Sequence, residues 1–368
     1  MTIPKTMQAV VYRGSRDLRV EQLPVPRIGA KELLVRVATC GVCPTDIKKI
    51  HHGTVPPPRV FGHETAGTIV KLGALVRGFR IGDRVALHHH VPCLDCHACR
   101  HHAFAQCATY KRTGITSGFE PAGGGYAEYV RVMPFVLPGV VKIPARNSFE
   151  EGAMLEPVNT VLKAVERLNL LPGDRVMVAG QGPIGLMFTR ILSLRGIRVL
   201  ATDLFENRLG LARRLGAKWS TKPTASSHLA PHFSGLDAVI VAVPVDALVK
   251  QSFELLRGGG QILLFAHTKR GAEFPVDLSR VCVDEVDLLG SYSSDFTLQK
   301  KVAPLVFSRQ LDVRPLITHR FPLAKTAAAV ELASHPTPES LKILVSQEGR
   351  RSQKSAVRDQ EGRGSAFY

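Results

Sequence analysis

The apolar positions along the chain fall into two regimes, with the change near about residue 150. Before it, residues 7–37 alternate apolar and polar side chains in short segments broken by Pro24, Pro26 and Gly29. Leu33-Leu-Val-Arg-Val-Ala, Thr68-Ile-Val-Lys and the Gly82-Asp-Arg-Val-Ala segment continue the pattern, and Gly73 lies between the last two. A period of two ended by turn formers marks half-buried strands, so this region predicts a small β-barrel. After the change, continuous apolar runs at 176–179, 198–202, 237–243, 261–265 and 286–290 predict buried strands, with Gly258-Gly-Gly260 as a turn before one of them. Thr160-Val-Leu-Lys-Ala-Val-Glu-Arg-Leu and 206–215 carry helical periodicity between the runs. Strands alternating with helices predict a parallel, doubly wound sheet, so the fold class is α/β. A helix over 295–308 and strands near 313–321 and 342–345 return the chain to the barrel. From Ser346 the sequence is polar and charged, which predicts a disordered tail over 346–368.

The run at 176–179 ends in Gly180-Gln-Gly182-Pro183-Ile184-Gly185, followed by apolar helical sequence through Leu194. Glycines at this spacing permit a tight strand-to-helix turn and let a pyrophosphate reach the backbone N–H groups at the helix start. The next strand run ends at Asp203, where an acid is placed to accept hydrogen bonds from the two ribose hydroxyls. Its charge repels a 2′-phosphate, so the expected cofactor is NAD rather than NADP.

Composition narrows the class. The length of 368 residues predicts two domains, and 45% hydrophobic residues permit sizeable cores. No run of about 18 apolar residues occurs, and Met1-Thr-Ile-Pro-Lys has no signal-peptide core, so a cytoplasmic protein off the membrane is expected. Net charge is +17, from 48 Lys+Arg against 31 Asp+Glu. The basic residues are scattered without interleaved aromatics, which disfavours nucleic acid as a partner and fits a field that attracts an anionic dinucleotide.

Seven cysteines remain to be placed, at 40, 43, 93, 96, 99, 107 and 282. Cys93, Cys96, Cys99 and Cys107 follow a C-x2-C-x2-C-x7-C spacing. Four thiolates from one loop close a tetrahedral zinc site and leave no open position, so that site is structural. His97, His101 and His102 are then loop surface, and His88-His-His90 faces the active site or packs at a strand end. Cys43, His63 and Glu64 have zinc-ligand chemistry but no diagnostic spacing of their own.

Thr39-Cys-Gly-Val-Cys-Pro-Thr-Asp46 followed by Phe61-Gly-His-Glu64 resembles the zinc-dependent alcohol and polyol dehydrogenases of the medium-chain dehydrogenase/reductase superfamily, and the resemblance runs from about residue 7 to about residue 345. It implies a GroES-like catalytic domain over 1–157 and 291–345 and a Rossmann domain over 158–290, with Tyr126–Val130 a structural strand. It implies a second, catalytic zinc held by Cys43 and His63, with Glu64 a ligand as in sorbitol- and threonine-type members. Glu156, in a Glu-Pro pair, is then a direct or water-mediated ligand; the alternative is an acid that only favours the positive end of its helix. Thr45 becomes the first step of a proton relay, whereas a histidine often found five residues after the cysteine is Lys48 here, leaving His51, His52 or water for the outer step. Arg208 takes a position flanking the adenosine, or faces solvent on its helix.

The implied reaction is hydride transfer from a secondary alcohol to NAD, with a polyol first among small-molecule substrates, L-threonine second and simple alcohols third. Gly290-Ser-Tyr-Ser-Ser-Asp295 lacks an arginine that sorbitol-type enzymes often carry there. A catalytically inactive nucleotide sensor is the alternative of another class. Members of the family are commonly homodimers or tetramers, so a homo-oligomer is expected.

Overall fold

The computed structural model describes residues 2–88, 91–109, 124–223, 234–266, 271 and 273–347. His89, His90 and residues 348–368 of the expected tail lie outside the described residues. In chain order the barrel region contributes β1 (Thr6–Gly14), β2 (Asp17–Pro24), β3 (Leu33–Gly41), α1 (Pro44–His52), β4 (Arg59–Val60), β5 (Glu64–Leu72) and β6 (Arg84–Leu87). It continues with α2 (His97–Arg100), β7 (Tyr129–Val132) and β8 (Val140–Lys142). Pro44 opens α1 at a position where its missing N–H costs nothing, and Gly53 closes the helix at φ 61°.

α3 (Phe149–Ala153) and α4 (Leu155–Val165) lead out of the barrel. Ser148 and Glu151 form a reciprocal capping box that fixes where this exit begins. The second region then runs β9 (Arg175–Ala179), α5 (Pro183–Leu194), β10 (Arg198–Thr202), α6 (Glu206–Arg214), β11 (Trp219–Thr221), β12 (Leu236–Val241), α7 (Asp246–Leu255), β13 (Leu256–Leu264), α8 (Leu278–Cys282) and β14 (Asp287–Gly290). α9 (Gln299–Phe307), β15 (Ile317–Pro322), α10 (Thr326–Ser334) and β16 (Lys342–Ser346) return to the barrel.

Three sheets result. β2, β1 and β4 form a small antiparallel sheet; a second runs β15-β16-β3-β5-β6-β8, with β7 also on β3. The third runs β11-β10-β9-β12-β13-β14, and every pair in it is parallel. That order reverses direction between β9 and β12, which opens a crevice at the carboxyl ends of those strands.

Three details differ from the sequence pattern. The strand expected from Thr68 begins at Glu64, which places that carboxylate on the sheet. The Gly258–Gly260 run does not precede a strand but lies inside the span of β13. Leu236 pairs with Leu256 and Ala238 with Gln261, so the glycines are looped out, with Gly259 at φ 68°. The alanine-rich helix α10 fills a stretch where no element is predicted, since its short side chains carry no clear apolar stripe.

The largest apolar core crosses both regions. Val158, Val161 and Leu162 of α4 pack with Phe188 and Ile191 of α5, Val176 and Val178 of β9, and Ala66, Ile317 and Leu344 of the barrel. Each fully buried Val, Leu or Phe contributes roughly 1.5–3 kcal/mol. The exit helix is therefore a packed axle between the halves.

Candidate metal centres and nucleotide cleft

The four sulfurs of Cys93, Cys96, Cys99 and Cys107 converge. Cys93 Sγ lies 3.9 Å from Cys99 Sγ and 3.6 Å from Cys107 Sγ, and Cys96 Sγ lies 3.5 Å from Cys99 Sγ. Tetrahedral zinc with Zn–S bonds of about 2.3 Å requires sulfur separations of about 3.8 Å, so the set fits the ion. The N–H of Cys96 donates to Cys93 Sγ at 3.4 Å, and that of Cys93 donates to Cys107 Sγ at 3.4 Å. Backbone donors from Asp95 and Cys96 lower the Cys93 pKa. Burial, helped by neighbouring thiols, pushes Cys99 up to about 12.

The second cluster is assembled from three elements. Cys43 precedes α1, His63 precedes β5, and Glu64 is the first residue of β5; their ligand atoms all lie within 4.8 Å of one another. One thiol, one imidazole and one carboxylate form a mixed set that suits zinc with a position left for an exogenous ligand. His63 and Glu64 are buried and Cys43 is half-buried. Glu156, buried in the first turn of α4, is outside the compact set, yet its charge bears on Glu64 and Lys342. Thr45 is half-buried in the first turn of α1.

Two buried charges at this cluster escape the motif reading. His63 Nδ1 sits 3.1 Å from Asp46 Oδ1, which leaves Nε2 for a metal. Burial drives the His63 pKa down, but Asp46 and Cys43 outweigh it and hold it well above its ordinary value. Burial drives Asp46 up, and His63 brings it below the usual carboxylate range. Asp46 stands three residues after Cys43, a spacing that faces both toward one side of the helix start, and this was the available signal. The second charge is Lys342 of β16, whose ammonium pairs with Glu64 and donates to Val42 O at 3.0 Å. Burial raises the Glu64 pKa, with Lys342 only partly offsetting it. Burial lowers Lys342, but Glu64 more than compensates.

At the nucleotide end the three glycines have different duties. A Cβ on Gly180, whose φ is 92°, would meet Val243 Cγ1 at 2.3 Å, and one on Gly185 would meet Gly180 O at 1.7 Å. A Cβ on Gly182, the residue before α5, would meet nothing within 4 Å. Packing therefore demands the first and third glycines, while the second keeps backbone open for a ligand at a helix N-terminus. Pro183 and Ile184 form the first turn of α5. Asp203, just past β10, accepts from Gln181 N at 2.7 Å and Phe205 N at 2.9 Å. Its carboxylate thus fixes the glycine loop and stands where a ribose would be read. Arg208 is neither solvent-facing nor free to reach a phosphate. It is buried, stacks on Phe205 at 4.8 Å, and donates from Nη2 to Thr337 O and Ser340 O, both at 2.9 Å.

A cavity of about 810 Å³ is lined by Gln106, Lys163, Phe265, Tyr292 and Asp295 among others. It opens at the carboxyl ends of the parallel strands. Burial raises the Tyr292 phenol, and the charges of His63 and Cys43 also act on it. His101 and His102, expected as loop surface, line the cavity too. His88 is buried, with Nε2 3.4 Å from Ser294 Oγ.

Known proteins share this layout. Residues 29–145 match the alcohol dehydrogenase GroES-like domain, and residues 183–308 match the zinc-binding dehydrogenase domain. A sorbitol dehydrogenase of Bombyx mori is 30% identical over 351 residues, 92% of this chain and 97% of the relative. One of Gallus gallus is 31% identical over 350 residues, 92% of this chain and 95% of the relative. The chain belongs to the zinc-dependent medium-chain alcohol and polyol dehydrogenase family. Among solved structures, a zinc-binding dehydrogenase of Sinorhizobium meliloti bound to NADP superimposes with a TM-score of 0.84 at 27% identity, covering 93% of this chain and all of that one. As a family member the chain is an oxidoreductase that uses Zn2+ and NAD. The family's GroES-like and Rossmann folds correspond to the barrel and the parallel sheet described above.

Proposed function

We propose that this enzyme oxidises a secondary alcohol of a small polyol, of the sorbitol or L-iditol kind, with NAD as hydride acceptor. The observation that carries the reading is the mixed Cys43, His63 and Glu64 cluster, in a chain that also presents a glycine loop at a helix start. The polyol class is supported by the sorbitol dehydrogenases it resembles over nearly its whole length.

When bound, zinc supplies Lewis acidity to the alcohol oxygen and NAD accepts the hydride. Cys43, His63 and Glu64 would hold the catalytic ion, Glu156 would reach it directly or through a water, and Asp46 fixes the His63 tautomer. Thr45 passes the alcohol proton outward. Cys93, Cys96, Cys99 and Cys107 hold a second, structural ion, so two zinc ions per chain are expected. Gly180, Gly182, Pro183, Ile184 and Gly185 receive the pyrophosphate, Asp203 orients the ribose, and Arg208 braces the adenosine end from beneath. The catalytic domain takes 1–157 and 291–345, and the Rossmann domain takes 158–290.

A homo-oligomer, dimer or tetramer, belongs to the same reading. β14 is the outer strand of the parallel sheet, and Leu288 on it is 45% exposed. An apolar edge strand invites pairing with a second copy. The seven free thiols suit a reducing cytoplasmic compartment.

The test is a screen of polyols, L-threonine and simple alcohols, following NADH absorbance. A polyol with NAD should give the highest kcat/KM; L-threonine or a plain alcohol in first place would overturn the substrate class. Glu156→Ala should lower kcat strongly with NAD affinity nearly unchanged, and near-normal turnover would reduce Glu156 to a helix-start acid.

A further inference from the structure

The register of the barrel sheet builds a charge pair into the metal cluster. Gly41 of β3 pairs with Glu64 of β5 on one side and with Leu344 of β16 on the other. A side chain at position 41 would block the path between β5 and β16. A Cβ there would lie 1.7 Å from Glu64 Oε2 and 2.9 Å from Lys342 Cε. Because glycine leaves that path clear, the Glu64 carboxylate crosses β3 and meets the Lys342 ammonium arriving from the far strand. Both residues are buried, and Val42 O takes a further hydrogen bond from Lys342 Nζ. Glu64 Oε2 lies against the ammonium without a well-directed hydrogen bond, so one carboxylate oxygen is buried with spare acceptor capacity beside Cys43 and His63.

We propose that Lys342 is a positioning residue that shares Glu64 with the catalytic zinc and weakens the ion's hold on that carboxylate. The proposal rests on the zinc site described above. An ammonium and a metal cation then draw on the same two oxygens, so each weakens the other's hold on them. Glu64 is thereby held as a loose, exchangeable ligand and the cluster keeps a position for the alcohol. With the lysine charge gone, the carboxylate has only the metal as counter-charge. The catalytic zinc is then expected to be bound more tightly and to exchange more slowly.

The experiment is zinc release from the loaded, full-length protein to a chromogenic chelator, with the four-cysteine site in the same molecule as internal reference. Lys342→Met should slow release of the catalytic ion at least about tenfold, while release from the cysteine site stays unchanged. Lys342→Arg keeps the charge and should release it within about threefold of the wild-type rate. With cobalt in the catalytic site, Lys342→Met should also shift the visible d–d band, since Glu64 becomes a fuller ligand; Lys342→Arg should not. A folded Lys342→Met protein that releases catalytic zinc at the wild-type rate or faster overturns the proposal. Should Lys342→Met fail to fold, the pair Glu64→Gln and Glu64→Gln/Lys342→Met decides. The double variant should fold, because no unpaired buried carboxylate remains, and its release rate should match Glu64→Gln within about threefold. A further slowing on adding Lys342→Met to Glu64→Gln shows that the lysine does not act through Glu64 and sinks the idea. A protein that binds only the cysteine-site zinc refutes the underlying site assignment instead.

Discussion

Asp46 offers the sharpest test of how the fold prepares its catalytic histidine. His63 Nδ1 and Asp46 Oδ1 are 3.1 Å apart, both side chains are buried, and the Tyr126 hydroxyl donates to Asp46 Oδ2 at 3.5 Å. Asp46→Asn keeps an acceptor of the same shape and deletes the charge; Asp46→Ala deletes both. Outer partners of a metal-binding histidine are typically worth 10–100-fold in metal affinity, which is about 1.4–2.7 kcal/mol. Asp46→Asn should sit near the lower figure, because its carbonyl still holds Nδ1–H and the tautomer survives. Asp46→Ala should sit near the upper one, because His63 is left free to rotate and the buried contact between Asp46 and the Tyr126 hydroxyl is lost as well. The assay is competition for zinc with a chelator, counting only the ion lost from the mixed cluster, together with thermal unfolding of the zinc-free protein. If both variants bind that zinc as tightly as wild type while unfolding at the same temperature, Asp46 does not orient His63 and the argument from the hydrogen bond fails.

Three further outcomes follow from the same geometry. Cys107→Ser removes a fully buried sulfur from the four-cysteine set, so zinc content should fall from two ions to one and the melting temperature should drop by several degrees; full stability with lost activity would reverse the assigned roles. Asp203→Ala removes the anion facing the ribose, and the NAD-to-NADP preference in kcat/KM should narrow by about tenfold, with an unchanged ratio counting against Asp203 as the discriminator. Burial raises Glu151, but Arg309, Ser148 N–H and Asn147 bring it below the usual carboxylate range. Its ionised form therefore stabilises the fold fully above the ordinary glutamate pKa of about 4.3, and the benefit is lost as pH falls through the lower folded value. Glu151→Gln should cost about 1–3 kcal/mol at pH 7 in urea unfolding and progressively less toward pH 3; a cost independent of pH would mean that the carboxylate charge is not what the cap uses.

What the sequence settles by itself is local. Gly180 and Gly185 announce a tight turn, because the positive φ of the first and the close approach of the third to Gly180 O are local demands, while Gly182 leaves the helix start open, and Asp203 follows because the next strand must end beside that turn. The four cysteines are equally legible, since one loop of fifteen residues brings its own sulfurs together. Strand and helix periods likewise mark the parallel sheet, except where tertiary pairing loops out Gly258–Gly260. Only the folded chain decides the long-range partners. Lys342 meets Glu64 across 278 positions because β3 lies between their strands and carries glycine at the crossing point. Arg208 is held inside the fold because Thr337 O and Ser340 O, from a segment more than a hundred residues later, take its donors. Spacing cannot encode such choices. Sheet register selects which charges are buried together, and a buried charge takes whichever partner that register supplies.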